Sequence, residues 1–405
     1  MNPKMNNTHQ KKTINDLALL GGPLLFKTPV STSNLVKPNL EKFLDYSRLA
    51  YESNILSNEG PLVRLLEHRL SVFHGAKFCV AFSNGFWALV LSIKALALKD
   101  RSEVIMPSLT YRRLADVVAW VGLKPRFCEI DENTLAISPK EAFNCIDDNT
   151  ALLLGVHPII NTCDVYGLQD VAEKKGVPLL FDAVESVYET VNGRKVGSFG
   201  NAECFSMHAS KLINGFEGGY VTTNDPDLAL RLSKMRRFGM SDSGDIEMLG
   251  LNAKLTEVHA AMGLASLDDL EDQVLRNKER YRTYQNALQG MDEIRLLEFD
   301  EKERTSYKTI VVEFKDDWPL SRADTISILN KEGVLARAYY SPALHSKPMK
   351  YPFVPAKLPI TDKMAERFML LPCGHLVSNE DIECVVSFLQ FIKDNAGDIK
   401  RRLHS

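Results

Sequence analysis

The sequence lacks the short motifs that mark several large enzyme classes. It contains no G-x-x-x-x-G-K-[ST] loop, no G-x-G-x-x-G after a predicted strand, no H-E-x-x-H and no G-x-S-x-G. These motifs are typical of nucleotide hydrolases, dinucleotide-binding enzymes, zinc peptidases and α/β-hydrolases. The simplest evidence for all four classes is therefore missing.

An excess of one charge and a long apolar run are also absent. Lys and Arg total 49 and Asp and Glu total 52, so the net charge is -3. This balance predicts neither a nucleic-acid partner nor binding to an anionic membrane. The longest apolar stretch, Phe86–Leu98, is interrupted by Ser92 and Lys94 and is too short to span a bilayer. The polar N-terminus lacks the apolar segment of a signal peptide.

Cysteines are few and show no pairing pattern. The seven cysteines are scattered and form no C-x-x-C motif, which argues against a zinc site, and we expect no metal. Several lie inside apolar runs, as Cys79 does between Phe78 and Val80. This usage is typical of reduced, buried thiols and predicts a cytoplasmic protein.

Short apolar runs alternate with amphipathic segments through the middle of the chain. Alternating strands and helices indicate an α/β fold, with a mostly parallel central sheet covered by helices on both faces. The carboxyl ends of parallel strands share one edge, where ligands bind. The predicted strands are Lys77–Phe82, Glu103–Met106, Arg126–Ile130, Ala151–Val156, Pro178–Asp182, Cys204–Met207 and Tyr220–Thr223. The predicted helices are Phe86–Leu98, Arg112–Val121 and Leu168–Lys175.

The 405 residues are expected to form two folded units and a tail. Residues 1–15 read as a disordered tail, and residues 16–268 as a large α/β domain with an N-terminal arm. A charged helix over Leu267–Leu288 connects the domains, and a smaller α+β domain occupies residues 269–405. A last helix is predicted over 379–393.

The turn Ser83-Asn84-Gly85 follows one predicted strand and precedes a helix. Glycine lets the backbone approach a ligand closely, and a helix N-terminus offers free N–H groups and a positive dipole end. The turn could hold a phosphate group. An ordinary strand-to-helix connection explains the same residues.

Asp182 ends the buried strand Pro178–Asp182. A carboxylate in that position is costly unless it meets a cation. In an enzyme that uses pyridoxal 5′-phosphate (PLP), the cation is the protonated pyridine nitrogen. A helix cap or a metal ligand is the alternative interpretation.

Lys211 lies just after the strand Cys204–Met207, in Ser206-Met207-His208-Ala209-Ser210-Lys211, and before a glycine-rich turn. A lysine here can reach back over the strand ends and act as an amine nucleophile. A solvent-facing loop lysine is the plain alternative. All three elements on one sheet edge would supply the phosphate site, the pyridinium partner and the covalent attachment that PLP requires.

These residues and several others resemble the DegT/StrS family of PLP-dependent sugar aminotransferases over nearly the whole chain. The matching segments are Gly21-Gly22-Pro23, Leu56–Val63, Ser83-Asn84-Gly85, Pro107-Ser108-Leu109-Thr110-Tyr111, Asp182-Ala183, Ser206–Gly219, Gly250-Leu251-Asn252-Ala253-Lys254-Leu255-Thr256-Glu257 and Tyr339–His345. The resemblance implies a fold-type I enzyme that works as a homodimer on small-molecule substrates.

The resemblance also implies roles for individual residues. Lys211 and Asp182 would be catalytic. The cofactor would be bound by Asn84, Gly85, Phe86, Tyr111, Asp182, Glu185, Ser206, Lys211 and, from the neighbouring subunit, Asn252. The substrate would be contacted by Asn58, Glu59, His157, Tyr340 and His345.

Some positions depart from the family pattern. Phe86 stands where threonine is usual, Glu185 where glutamine or histidine is usual, and Lys254 where arginine is usual. The usual histidine–leucine–tyrosine–glycine run is His157-Pro158-Ile159-Ile160 here, and Arg112-Arg113 replace small or apolar residues. These last two departures lie near the substrate side and leave open whether the acceptor is a standard nucleotide sugar.

The leading hypothesis is an aminotransferase that takes its amino group from an amino acid, L-glutamate first. PLP would alternate with pyridoxamine 5′-phosphate, and the acceptor would be a nucleotide-linked 4-keto-6-deoxy sugar or a similar cyclic ketone. A PLP-dependent lyase and a non-catalytic PLP-binding protein are the alternatives. The intact Lys211, Asp182 and phosphate turn argue against the last.

Overall fold

A computed structural model describes residues 10–33, 35, 37–241 and 243–403. The strands in this part of the chain are β1 (Val30–Ser31), β2 (Phe78–Phe82), β3 (Glu103–Pro107), β4 (Lys124–Cys128), β5 (Thr150–Val156), β6 (Leu179–Asp182), β7 (Thr190–Val191), β8 (Arg194–Lys195), β9 (Ala202–Ser206), β10 (Gly219–Thr223), β11 (Ile294–Leu296), β12 (Ile310–Phe314), β13 (Val334–Leu335), β14 (Arg337–Ala338) and β15 (Phe368–Leu371).

The α-helices are α1 (Leu40–Glu52), α2 (Pro61–His74), α3 (Gly85–Leu96), α4 (Leu114–Trp120), α5 (Pro139–Cys145), α6 (Val165–Lys175), α7 (Pro226–Arg236), α8 (Glu257–Asp268), α9 (Leu270–Ala287), α10 (Arg322–Lys331), α11 (Pro359–Ala365), α12 (Asn379–Asp394) and α13 (Ala396–Leu403). Short 3₁₀ helices lie at Ile14–Asp16, Ala18–Leu20 and Leu344–Ser346. Within the described residues, every helix is too short or too polar to cross a membrane.

A seven-stranded sheet forms the centre of the large domain, in the order β2-β10-β9-β6-β5-β3-β4. Only β10 runs antiparallel to its neighbours; the other six strands share one direction. All residues of β5 and β6 are buried, as expected for parallel strands covered on both faces. The predicted α/β architecture with a mostly parallel sheet is confirmed.

The small domain has a four-stranded antiparallel sheet in the order β11-β12-β15-β14. The predicted helix over 267–288 is in fact two helices, because α8 ends at Asp268 and α9 begins at Leu270. Between them, the carboxylate of Asp269 accepts from the backbone N–H of Asn39 (2.6 Å) and pairs with Lys42 (2.6 Å). These long-range contacts fix the break between the helices.

The N-terminal segment packs against the small domain. Lys11 forms a fully buried ion pair with Glu332 (2.8 Å), whose carboxylate also accepts from the N–H groups of Ala18 and Leu25. Strand β1 continues this contact by pairing in parallel with β13. Residues 10–15 were predicted to belong to a disordered tail, but they are packed against the rest of the chain through the contacts of Lys11. Residues 1–9 lie outside the described part.

Candidate active site

Strand pairing brings the predicted site residues to one edge of the central sheet. Asp182 at the end of β6 is in register with Cys204 of β9. Two residues further along β9, Ser206 lies opposite Gly219, which also pairs with Phe82 at the end of β2. The turn that follows Phe82 begins α3. The three elements singled out in the sequence therefore share one edge.

Glycines allow the start of α3 to approach the end of β9 very closely. A Cβ on Gly85 would lie 3.0 Å from the Cβ of Ser206, and one on Gly219 would lie 2.5 Å from the backbone nitrogen of Gly85. The Asn84 side chain caps α3 by accepting from the N–H of Trp87 (2.9 Å). Ser206 Oγ accepts from the N–H of His208 (3.2 Å), which leaves its O–H to donate elsewhere. The turn thus caps the helix, and the free N–H groups at the start of α3 are of the kind that bind anions in proteins.

Asp182 is a buried carboxylate that forms no ion pair with another described residue. Its Oδ1 accepts from the N–H of Val184 (3.2 Å). Burial raises the pKa of Asp182 to about 6, although that hydrogen bond and the charge of Lys211 act in the opposite direction. A cationic ligand beside this carboxylate would restore its ionised form.

Lys211 does not stand alone in the site. Its ammonium group forms an ion pair with one oxygen of Glu185, and the ammonium group of Lys308 pairs with the other oxygen. Burial would raise the pKa of Glu185, but the two lysines outweigh it and lower the pKa to about 2. The site therefore contains a permanently ionised carboxylate between two amines.

Sequence reasoning missed Lys308. Its side chain is 8% exposed, and burial lowers its pKa. It lies in Tyr307-Lys308-Thr309, directly before the apolar strand β12. A lysine at the start of a buried strand is unusual, and this was the signal that could have drawn attention to it.

Tyr340 and Tyr111 lie on the outer side of the site. Burial raises the pKa of Tyr340 well above its usual value, and the charges of Glu185 and Asp182 add to the effect. Tyr111 is 49% exposed. The imidazole of His345 is held in place by a hydrogen bond between its Nδ1 and Ser108 Oγ (2.7 Å) at the end of β3.

Asn58, Glu59 and Asn252 lie around the phosphate turn. Asn58 accepts from Lys254 (2.5 Å), and Glu59 pairs with the buried Arg236 (3.3 Å). Asn252 is exposed, and the next residue, Ala253, accepts from the N–H of Ser83 in the turn (2.8 Å). Asn58 and Glu59 are already bonded within the chain.

His157 is positioned differently from the expectation, and Phe86 lies in the first turn of α3. The His157 side chain is completely buried, with Nε2 3.5 Å from Glu203 and Nδ1 3.3 Å from the N–H of Cys163. This position supports a packing role instead of a substrate contact. The half-buried ring of Phe86 packs edge-on against Trp87 (5.5 Å), so Phe86 can offer a phosphate only its backbone N–H.

Comparison with known proteins agrees with this geometry. The model of the DegT/DnrJ/EryC1/StrS aminotransferase family matches residues 39–390. The chain belongs to this family. It is 26% identical over 373 residues to the dTDP-4-amino-4,6-dideoxy-D-glucose transaminase of Shigella dysenteriae, covering 90% of this chain and 99% of the relative. It is also 26% identical over 346 residues to the GDP-perosamine synthase of Vibrio cholerae, covering 83% and 93%.

A solved structure resembles the whole fold. DesI, crystallised in the presence of its TDP-sugar product, superposes with a TM-score of 0.91 at 33% identity, covering 97% of this chain and all of DesI. The protein is therefore a PLP-dependent aminotransferase, as the sequence predicts.

PLP fits the residues at this sheet edge. The start of α3 and the Ser206 hydroxyl would hold the phosphate, Asp182 would face the pyridine nitrogen, and the amine of Lys211 would take the aldehyde. The cationic pyridinium supplies the partner that the buried Asp182 lacks. When bound, PLP provides the electron sink for amino-group transfer.

We expect Asp182→Asn to have opposite effects on stability and on catalysis. The raised pKa of about 6 penalises the ionised Asp182 in the cofactor-free protein. Its stability should therefore fall as the pH rises from the ordinary Asp pKa through about 6. The asparagine variant removes this penalty and should be more stable near neutral pH by up to roughly 3 kcal/mol, while transamination falls by about two to four decades.

Urea unfolding of both cofactor-free proteins across this pH range, together with turnover of the PLP-loaded forms, measures the two effects. Near-normal turnover of the variant would remove Asp182 from its assigned role. A variant whose stability shows the same pH dependence as the wild type would contradict the buried-charge argument.

We also expect Lys308 and Glu185 to be energetically coupled. In Lys308→Met, Glu185 keeps its ion pair with Lys211 but loses the one with Lys308. In Glu185→Gln/Lys308→Met, the negative charge of Glu185 is removed as well, so that the lost ion pair no longer matters. A double-mutant cycle on the cofactor-free protein, followed by urea unfolding, should give a coupling energy of about 0.5–3 kcal/mol. Additive losses in the cycle would show that the pair makes no contribution of its own.

Proposed function

We propose that the protein transfers the amino group of an amino acid, L-glutamate first, to the ketone of a nucleotide-linked 4-keto-6-deoxy sugar. The observation that carries the transfer chemistry is that Lys211 and Asp182 lie at one sheet edge, where the N-terminus of α3 also lies. Curated relatives that act on dTDP- and GDP-linked sugars support the acceptor class.

The chain's own residues have distinct tasks in this proposal. Lys211 would move a proton between the substrate carbon and the reactive carbon of the bound cofactor. Asp182 would stabilise positive charge on the pyridine nitrogen, which would strengthen electron withdrawal. The ion pair with Lys308 favours the ionised form of Glu185 while the amine of Lys211 is engaged in chemistry.

Removal of the Lys211 amine tests the transfer chemistry. Lys211→Ala should lose the visible absorbance of covalently attached PLP and should fail to convert PLP to pyridoxamine 5′-phosphate with L-glutamate. Lys174→Ala, which removes an exposed lysine on α6, is the matched control and should retain both properties. Borohydride reduction followed by peptide mapping identifies the attached lysine, and attachment at a different lysine would refute the assignment.

The acceptor is tested with the pyridoxamine-loaded enzyme. Keto sugars with and without a nucleotide are offered, and return of the PLP absorbance reports amino transfer. A nucleotide-linked 4-keto-6-deoxy sugar should react fastest. Release of an altered sugar without an amino group would favour the lyase alternative.

We further propose a homodimer in which each subunit completes the partner's site. The segment before Asn252 presents unusually exposed apolar side chains, with Ile246 at 81% and Leu249 at 77%. Such side chains favour burial against another surface, and symmetric dimers are the commonest closed assembly.

A cytoplasmic location is consistent with the seven cysteines, all of which are free thiols.

Subunit mixing tests the shared site. In a heterodimer of Lys211→Ala and Asn252→Ala subunits, one site carries both lesions and the other carries none. Activity should therefore return to about half of the wild-type value if Asn252 acts across the interface. Homodimers of each variant are the controls. Purified heterodimers without restored activity, or a fully active monomer, would contradict the proposal.

A further inference from the structure

A large hollow opens beside Tyr111, outside the residues assigned to PLP. It has a volume of about 680 Å³ and lies between the start of α4 and the segment 344–351. A second hollow of about 520 Å³ is lined by Tyr111, Arg112, Arg113 and Lys347, and the last three residues line both. The two hollows form a continuous path away from Tyr111, which we call the basic groove.

The basic groove has a strong excess of positive charge. Among its described lining residues, Asp116 is the one carboxylate, against Arg112, Arg113, Lys347 and Lys350. The carboxylate of Asp116 already has two partners, because it pairs with Arg113 (2.7 Å) and accepts a hydrogen bond from the hydroxyl of Tyr351.

Arg112 and Lys347 are left without an ion pair to a carboxylate of the described residues. Burial lowers the pKa of Lys347, and the neighbouring charge of Arg112 lowers it further. Two like charges held near each other are unfavourable unless an anion binds between them. A diphosphate has the charge and the acceptor oxygens to do so.

The far end of the basic groove presents aromatic surface. Trp120 at the end of α4 is 65% exposed, and its ring contacts Trp87 edge-on at 5.6 Å. Tyr351, held by its bond to Asp116, forms the facing wall. An exposed indole is a platform on which a nucleobase can stack.

We propose that the basic groove binds the nucleoside diphosphate part of the substrate, with Arg112 and Lys347 on the phosphates and Trp120 against the base. The inference rests on the proposed function and deepens it, because it assigns the part of the substrate that does not react. The sugar then extends toward Tyr111 and the cofactor. Arg112, one of the two arginines that depart from the family pattern, is thus a specificity element of this chain.

The test is direct binding to the pyridoxamine-loaded enzyme by calorimetry. The probes are dTDP, UDP, GDP and inorganic pyrophosphate. The test variant is Arg112→Ala/Lys347→Ala. The control variant, Lys174→Ala/Lys400→Ala, removes the same charge from exposed lysines elsewhere.

At least one nucleoside diphosphate should bind, and the test variant should weaken its binding about 100-fold, since each charge-assisted contact contributes about tenfold. The control variant should bind like the wild type, and conversion of PLP by L-glutamate should be unchanged in both. Trp120→Ala should weaken the binding of nucleoside diphosphates but leave the binding of pyrophosphate unchanged. Equal binding by the test and control variants would overturn the proposal.

Acceptor kinetics separate this inference from the proposed function. If a nucleotide-linked keto sugar is aminated and the test variant leaves its KM unchanged, the groove assignment is wrong and the function stands. If nucleoside diphosphates bind through Arg112 and Lys347 but no such sugar is aminated, the groove stands and the proposed function is wrong.

Discussion

The site depends on how the negative charges of two carboxylates, Asp182 and Glu185, are balanced near the ends of the parallel strands. The charge of Glu185 is balanced within the chain, because Lys211 and Lys308 each pair with one of its oxygens. Asp182 forms no ion pair with another described residue, and burial raises its pKa. The cationic ring of a bound cofactor would supply such a partner. In the function proposed above, affinity for the cofactor and its electronic activation would share this electrostatic origin.

The lysine pair explains how Glu185 can occupy a position where a neutral side chain is usual in the family. A single buried carboxylate would tend to take up a proton, and its charge would then depend on whether Lys211 is engaged. Lys308 weakens this dependence, because its ion pair with Glu185 does not involve the amine of Lys211.

The sequence predicted the central sheet well because buried parallel strands read as continuous apolar runs between helices. Asp182 and Lys211 could be found because each directly follows such a run. Lys308 could not be paired with Glu185, since 122 residues separate them in the chain and nothing local indicates that the start of β12 meets the end of β6. The break at Asp269 and the order of residues 10–15 likewise depend on long-range contacts, to Asn39 and Glu332.

The same lysine connects the site to the arrangement of the two domains. Lys308 comes from the small-domain side, and the neighbouring Ser306 donates to the buried Glu189 of the large domain (2.7 Å). The pairing of Lys308 with Glu185 extends this contact into the site. His345 comes from the same side and is hydrogen-bonded to Ser108 at the end of β3. The charge balance around Lys211 therefore includes Lys308, a residue that the packing of this side against the central sheet brings into the site.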